Sequence, residues 1–461
     1  MTSYDYDLLI IGTGSGNSII TPDFDTWNIG IIERGVFGGT CLNRGCIPSK
    51  MLVHIADSIE QIRQSERLGI VGEVKEILWS DILLRVYGRI DPISQSGEAY
   101  REGLPHVTVH KGHARFTGPN SVEVNGDQVS AQQIVIATGA KPYIPEIPGL
   151  SSIRYHTSDS IMRMEKIPDR LTIIGGGYIA TEMAHVFDAL GAEVVLIARA
   201  DRLLRDEDTD ISDRFTEAFK ERIAIHLNSH IGSIEQTSSG ETTLHCQSEG
   251  TPFTISTQEL LVATGRIPTA SELNTPEAKL TLENGYIVTD KFMRTNISHI
   301  WALGDVTNSH QLKHTANAEA RVVSHNLANP DEMITVDLDP IPHAVFTNPQ
   351  IAAVGATEQY LQETGQEYVS EIVNFSEVAY GWALEDDVGF CKVLVDPNTS
   401  LLLGAHILGP QASILIHQLI QGMSFKQTVQ QLSRGMLYVH PALNEVVENA
   451  LLKVSAACTN F

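Results

Sequence analysis

Cysteine is scarce: five in 461 residues, too few and too scattered for a secreted disulfide framework. No apolar run approaches the ~18 residues a membrane span requires. Basic residues are few as well: 32 Lys and Arg stand against 56 Asp and Glu, a formal net charge of −24. A surface of that sign repels nucleic acid and anionic membrane, so any anionic ligand needs a local basic patch. The N-terminal MTSYDYD has no basic region of the kind that opens a secretory signal. There is no low-complexity segment. What is present is ordinary globular composition, 42% hydrophobic and 19% charged. The length suits about three domains, each able to bury a core without staples. A soluble, cytoplasmic, multidomain protein is expected.

Two segments share one design. Residues 7–16 read DLLIIGTGSG and residues 171–182 read LTIIGGGYIATE. Each is a short apolar run ending in clustered glycines, as in a buried parallel strand turning into a helix. Another strand is expected about twenty residues later in each case, at 28–33 and 193–198. Two βαβ units follow, hence two dinucleotide-binding domains of Rossmann type in an α/β protein. Near-copies IVIATGA (134–140) and LLVATGR (260–266) look like points where the chain leaves such a domain, and HIWALGD covers 299–305. Beyond about residue 340, strand-like runs at 342–355 and 389–408 precede helical stretches near 411–434 and 442–453. That order predicts a C-terminal α+β domain. Residues 455–461 read as a frayed tail.

In the first fingerprint Gly12, Gly14 and Gly16 give a tight turn with room for a pyrophosphate, above the N–H donors of a following helix. Glu33 is placed to accept from ribose hydroxyls. Asn17 stands where a third glycine is usual, and Pro22 lies in the next stretch, so that helix should be short or irregular. In the second, Gly175, Gly177 and Ala180 precede a strand followed by Arg199, Arg202 and Arg205. Guanidinium groups there suit a 2′-phosphate and favour NADPH; a solvated basic turn is the bland alternative. One acid-ended and one base-ended fingerprint suggest two different dinucleotides, FAD and NADPH.

GGTCLNRGCIPSK spans residues 38–50. Five residues of regular helix would separate Cys41 and Cys46 by ~7.5 Å along the axis, beyond easy disulfide reach. Gly45 between them lets the backbone tighten. In a reducing compartment such a pair points to redox work, with two buried free thiols as the alternative. No metal is expected, because the spacing lacks a second ligand pair and local histidines. Lys50 lies one helical turn beyond Cys46, where a cation could lower a thiol pKa or tune a flavin. Cys246, Cys391 and Cys458 have no partner nearby in sequence.

Taken in order, GTGSG, the cysteine segment, ATG, GGGYIATE, ATGR, ALGD and HPALNE resemble the FAD-dependent pyridine nucleotide–disulfide reductases, the family of glutathione reductase and dihydrolipoamide dehydrogenase. The resemblance covers essentially the whole chain. It implies an FAD domain with the redox disulfide (1–147), an NADPH domain (148–265), a central domain completing the FAD site (266–337) and an interface domain (338–461), assembled as a homodimer. It also implies that Cys46 is the sulfur nearer the flavin and Cys41 the interchange thiol. Lys50 would pair with Glu182 near the flavin N5, and Tyr178 would cover the nicotinamide pocket beside Ile179. Further cofactor contacts are implied for Gly39, Thr40, Thr138, Gly139, Gly265, Arg266 and Gly304, with Asp305 on the ribityl chain. His440 and Glu445, in YVHPALNEVVE, would be the acid–base pair, with the histidine supplied by the partner subunit. An imidazole titrates near working pH and can protonate a departing thiolate.

The substrate implied is a small-molecule disulfide. A lone Cys458 at the C-terminus argues against mercuric reductase and large thioredoxin reductase, which carry a vicinal pair there. The arginines argue against dihydrolipoamide dehydrogenase, and Asp23 and Asp25 in the first helix argue against glutathione reductase. GTGSGNSI, YGRIDPIS, YHTSDSIMR, VFTNPQIAAVG, AYGWALED and HPALNEVVENALL are similar to the branch that reduces the disulfide of mycothiol, a cysteinyl pseudodisaccharide thiol. A flavoprotein redox sensor or electron carrier is the alternative from another class.

Overall fold

The computed structural model describes residues 4–238 and 240–458. Strand Tyr6–Ile11 is covered on both faces, which is why it reads as an unbroken apolar run. Leu9 and Ile11 enter one core with Ile32, Ile134, Ile136 and Ile300. Leu8 and Ile10 enter another with Ile29, Ile31, Val135 and Trp301. This strand is central to a seven-stranded sheet. Val107–Lys111, Ile29–Glu33, Tyr6–Ile11 and the latter half of Asp127–Ile136 run parallel, and Ile300–Ala302 returns to pair with the last of these. The first half of Asp127–Ile136 folds back antiparallel onto Ser121–Val124 and Ala114–Gly118.

The second fingerprint opens a four-stranded parallel sheet ordered Ala224–His226, Glu193–Ile197, Arg170–Ile174, Glu259–Val262. The two ATG segments leave their sheets side by side, and Ala140–Pro142 then pairs antiparallel with Arg266–Pro268. Between the sheets, helix Cys46–Arg63 packs on helix Tyr178–Ala189 through Leu52, Val53, Ala56 and Ile59 against Ala180, Met183, Ala184 and Phe187. This shared core fixes the cysteines relative to the second fingerprint.

The C-terminal part is a five-stranded antiparallel sheet backed by helices Ala412–Ser424 and Glu445–Ala457. Val393, Leu402 and Ile407 meet Leu415, Leu419, Val447 and Leu451 in its core. The architecture is therefore α/β with an α+β end, as expected. Strand Val369–Asn374 and helix Glu358–Thr364 lie in a stretch for which no element was expected.

The segment after the first fingerprint is short and irregular, as expected: the chain makes only the 3-10 turns Ser15–Ser18 and Pro22–Phe24 before the next strand. Pro22 cannot donate within a helix, and Asn17 is held elsewhere. The Nε and Nη2 of Arg101, 9% exposed, donate to the Asn17 side-chain and main-chain oxygens at 2.8 Å. A buried guanidinium thus braces the turn where a helix would otherwise stand. One local expectation needs correction: the tail does not fray from residue 455, because the last helix runs to Ala457 and Cys458 is buried in the C-terminal core; residues 459–461 lie outside the described residues. Among the described residues no helix is long and apolar enough to cross a membrane.

Candidate active site

Both fingerprints, the cysteine segment and parts of the C-terminal sheet line one cavity of about 2720 Å³. A single small-molecule site occupies roughly 300–1,000 Å³, so this space can hold more than one large ligand. The glycines explain its shape. Gly12 has φ +100°, and a Cβ there would lie 2.4 Å from the Ala137 carbonyl oxygen. Gly175 repeats this, with φ +137° and a Cβ 2.2 Å from the Ala263 oxygen. Each ATG segment therefore packs directly on its own fingerprint turn. At Gly139, Gly177 and Gly265 a Cβ would meet nothing within 4 Å, so their backbones stay open for close approach by a ligand.

Gly39 clamps the cysteine segment to the first fingerprint, since a Cβ would sit 2.6 Å from the Gly14 Cα. Glu33 accepts from the Thr13 N–H at 3.0 Å, from its hydroxyl at 2.5 Å and from the Gly35 N–H at 2.8 Å, so the acid at the strand end is oriented. Gly16 packs against Ala137 and carries the turn onward. These features fit a dinucleotide in each half of the cavity.

Cys41 lies in the short helix Gly39–Arg44, and Cys46 starts Cys46–Arg63. Gly45, with φ −138° and ψ −116°, breaks the helix between them, so the regular-helix separation does not apply. Buried Asn43 ties the segment down by donating to the Phe37 and Gly39 carbonyls at 2.9 Å. The two sulfurs are hydrogen-bonded to each other, with Cys41 as donor, which holds the Cys41 thiol well above its usual range. Cys46 receives that bond and is pulled down to about 7, with burial opposing and the charges of Lys50 and Lys313 assisting. Deprotonation is therefore favoured at Cys46 over Cys41.

Lys50 Nζ donates to both oxygens of Glu182 at 2.7 Å and sits 4.4 Å from the Phe346 ring centre. Glu182 is buried and also accepts from the Phe346 N–H at 3.0 Å. Tyr178, Ile179, Thr40, Thr138 and Arg266 line the same cavity. Asp305 lines it too, on the turn Gly304–Val306; burial raises its pKa, while Arg266 and Lys313 draw it down. Sequence reasoning missed Glu319, on helix Lys313–Ala328. Its carboxylate accepts from the Gly304 N–H at 2.6 Å and the Asn308 amide at 2.8 Å, and burial pushes its pKa up to about 7. An acid on the apolar face that carries Ala316, Ala320 and Val323 was the available signal.

The three arginines are not equivalent. All line the cavity. Arg202, however, is neutralised by Asp213 at 2.8 Å and Asp201 at 3.3 Å. Arg205 has Asp206 at 3.6 Å, and only Arg199 makes no ion pair among the described residues. Asp23 and Asp25 are exposed and lie outside the cavity lining, in a segment without the helix on which the comparison with glutathione reductase rested.

His440 and Glu445 form a pair away from the cavity lining. Nδ1 of His440 lies 2.6 Å from the carboxylate, whose second oxygen accepts from the Ala442 N–H at 3.2 Å. The imidazole is 73% exposed, and its Nε2 makes no hydrogen bond among the described residues. Within a single chain the structure does not bring this pair to the cysteines.

Family models complete the picture. Residues 6–320 match the pyridine nucleotide-disulphide oxidoreductase model, and residues 341–451 match the dimerisation domain of the same family. The chain belongs to this family. It is a flavin- and pyridine nucleotide-dependent disulfide oxidoreductase with a dimerisation domain. The mycothione reductase of Mycobacterium tuberculosis is 44% identical over 97% of this chain and 99% of its own length. The mercuric reductase of Bacillus cereus is 33% identical over 94% of this chain and 69% of its own. The HOCl-induced flavoprotein disulfide reductase RclA from Escherichia coli superposes with a TM-score of 0.85 at 27% identity, covering 97% of this chain and 100% of that one.

Proposed function

We propose that this oxidoreductase is NADPH-dependent, works as a homodimer and reduces mycothione, the disulfide of mycothiol, to two molecules of the thiol. Full-length similarity to the M. tuberculosis mycothione reductase carries the substrate assignment. Arg199 and Arg205 at the rim of the second fingerprint support the choice of NADPH.

Gly12, Gly14, Gly39, Glu33 and Asp305 would hold FAD, and Gly175, Gly177 and the arginines NADPH. FAD, when bound, supplies the two-electron relay between nicotinamide and disulfide. Lys50, oriented by Glu182, keeps a cation one turn from Cys46. Reduction opens the Cys41–Cys46 bond, leaving a thiol on Cys41 and a thiolate on Cys46. His440 of the partner subunit takes the Cys41 proton, with Glu445 on Nδ1 stabilising the imidazolium. Cys41 then attacks one substrate sulfur, a mixed disulfide forms, and the departing thiolate takes the proton from His440. Cys46 attacks Cys41, the protein disulfide re-forms, and the second thiolate leaves and is protonated from solvent. Two electrons and two protons enter, and two thiols leave.

The deciding assay is oxidation of NADPH by the FAD-loaded protein with mycothione, glutathione disulfide and oxidised lipoamide in parallel, and NADH as control donor. Preference for NADPH with mycothione is expected. Preference for NADH with lipoamide refutes both specificities. NADPH reduction of the cysteines without turnover of any disulfide favours a redox sensor.

A further inference from the structure

The arginines after the second fingerprint are held in place by different parts of the chain. Arg199 follows closely on strand Glu193–Ile197, and the Ala198 N–H beside it donates to the His226 carbonyl at 2.9 Å. The sheet of its own domain therefore places it. Arg205 lies further along, in the stretch that leads to helix Thr209–Lys220. Before Arg205 this stretch is tied to its own domain, with the Leu204 N–H donating to the Gly176 carbonyl at 2.8 Å and the Leu203 N–H to the Thr216 hydroxyl at 3.0 Å. Beyond Arg205 it is gripped by the dimerisation domain, residues 341–451. The half-buried side-chain amide of Gln359 donates to the Glu207 carbonyl at 2.8 Å and accepts from the Thr209 N–H at 3.3 Å, bridging the segment as a neighbouring strand would. The Glu207 carboxylate meets His343 Nε2 at 2.8 Å. Asp208 accepts from the Glu358 N–H at 2.9 Å and from buried Lys392 at 2.8 Å.

Arg205 sits between these two anchorages. Its side chain is 72% exposed, and its ion pair with Asp206, at 3.6 Å, is too loose and too wet to fix the guanidinium. The backbone on either side must do so. We propose that Gln359 is a positioning residue for coenzyme selection: by pinning Glu207 and Thr209 it holds Arg205 at the cavity wall, where a 2′-phosphate would bind. Arg205 as a phosphate ligand is taken from the proposed function, on which this inference rests. Gln359 itself lies outside the cavity lining, so its influence on the coenzyme has to pass through the segment it pins. Glu207 and His343 do line the cavity and could touch a ligand directly, which makes them poorer probes. Lys392 is poorer still, because it is 1% exposed against three carboxylates and its loss would leave buried charge unpaired.

The test is rapid anaerobic mixing of the FAD-loaded protein with NADPH or NADH, following the bleaching of the oxidised flavin. Its concentration dependence gives an apparent Kd and a limiting rate for each coenzyme, with no disulfide substrate needed. Gln359→Ala should raise the Kd for NADPH about threefold to fivefold and leave the limiting rate and the NADH values unchanged. Arg205→Gln should raise the Kd for NADPH about tenfold. Adding Gln359→Ala to Arg205→Gln should then change nothing further, because the guanidinium to be positioned is gone. A merely structural Gln359 would weaken both coenzymes alike, or add its effect in full to that of Arg205→Gln, and either result overturns the proposal. Should Gln359→Ala not accumulate as folded flavoprotein, Gln359→Asn carries the test. It keeps the amide but is too short to reach both groups, so a smaller rise for NADPH alone is expected, and none overturns the proposal. A wild type indifferent between NADPH and NADH refutes the proposed coenzyme and takes this inference with it. A wild type that prefers NADPH, with Gln359→Ala indistinguishable from it, overturns this inference alone.

Discussion

Glu182→Gln isolates the ion pair that joins the cysteine helix to the second fingerprint helix. The carboxylate accepts two bonds from Lys50 at 2.7 Å and one from the Phe346 N–H at 3.0 Å. Breaking a fully buried pair costs about 3–5 kcal/mol. Here Glu182 is 6% exposed but Lys50 is 35% exposed to the cavity, so the freed ammonium regains water. Glutamine still accepts from Phe346, which leaves a loss of about 2 kcal/mol; alanine also orphans that N–H and should cost about 3 kcal/mol. Unfolding of a multidomain flavoprotein is not two-state, so melting midpoints are compared rather than free energies. For a cooperative unit of roughly 150–250 residues, 2 kcal/mol corresponds to a drop of roughly 4–8 °C. The chemical consequence has the opposite sign to ordinary damage. Lys50 loses its counter-charge, so the Cys46 thiolate becomes more stable and its alkylation midpoint should fall below about 7. A Glu182→Gln protein that melts like wild type, or whose Cys46 midpoint rises, refutes the account of this pair.

Other outcomes follow from the same geometry. His440→Ala removes a 73% exposed side chain, so melting should be unchanged while disulfide reduction falls about 10²–10⁴-fold and NADPH still reduces the flavin. Mixing that chain with Cys41→Ser, each inactive alone, should restore about a quarter of wild-type turnover after subunit exchange, because only hybrid dimers then contain an intact site; no recovery would place the histidine in its own chain's site. Arg199→Gln should raise KM for NADPH about tenfold and leave NADH unaffected, whereas Arg202→Gln, already paired with Asp201 and Asp213, should change the ratio far less in steady-state kinetics. Glu319 has a folded-state pKa raised from 4.5 to about 7, so the native chain binds the extra proton between those values and loses stability as pH rises through that window. Glu319→Gln should accordingly be neutral near pH 5 and stabilising above pH 7, by up to roughly 3 kcal/mol, and equal melting shifts at both pH values would contradict this.

The sequence by itself determined the chemistry-bearing parts. Apolar runs ending in glycine clusters specify strand–turn units, because only glycine tolerates the positive φ at Gly12 and Gly175 and the carbonyl packed against each. Cys41, Gly45 and Cys46 encode a pair within reach through a helix break, a local property of thirteen residues. The strands-then-helices order of the C-terminal part was equally legible. What only the tertiary structure decided were the long-range electrostatic pairings. Arg202 looked like a free phosphate ligand until Asp213 came within 2.8 Å, and Asn17 looked like a defective fingerprint until Arg101 braced it across 84 residues. Lys313 and Ser15 are 298 residues apart, and Glu319 lies 15 residues beyond the Gly304 N–H it meets. A sequence lists how many charges there are and of what sign; which of them cancel depends on distances that exist only after the chain has folded.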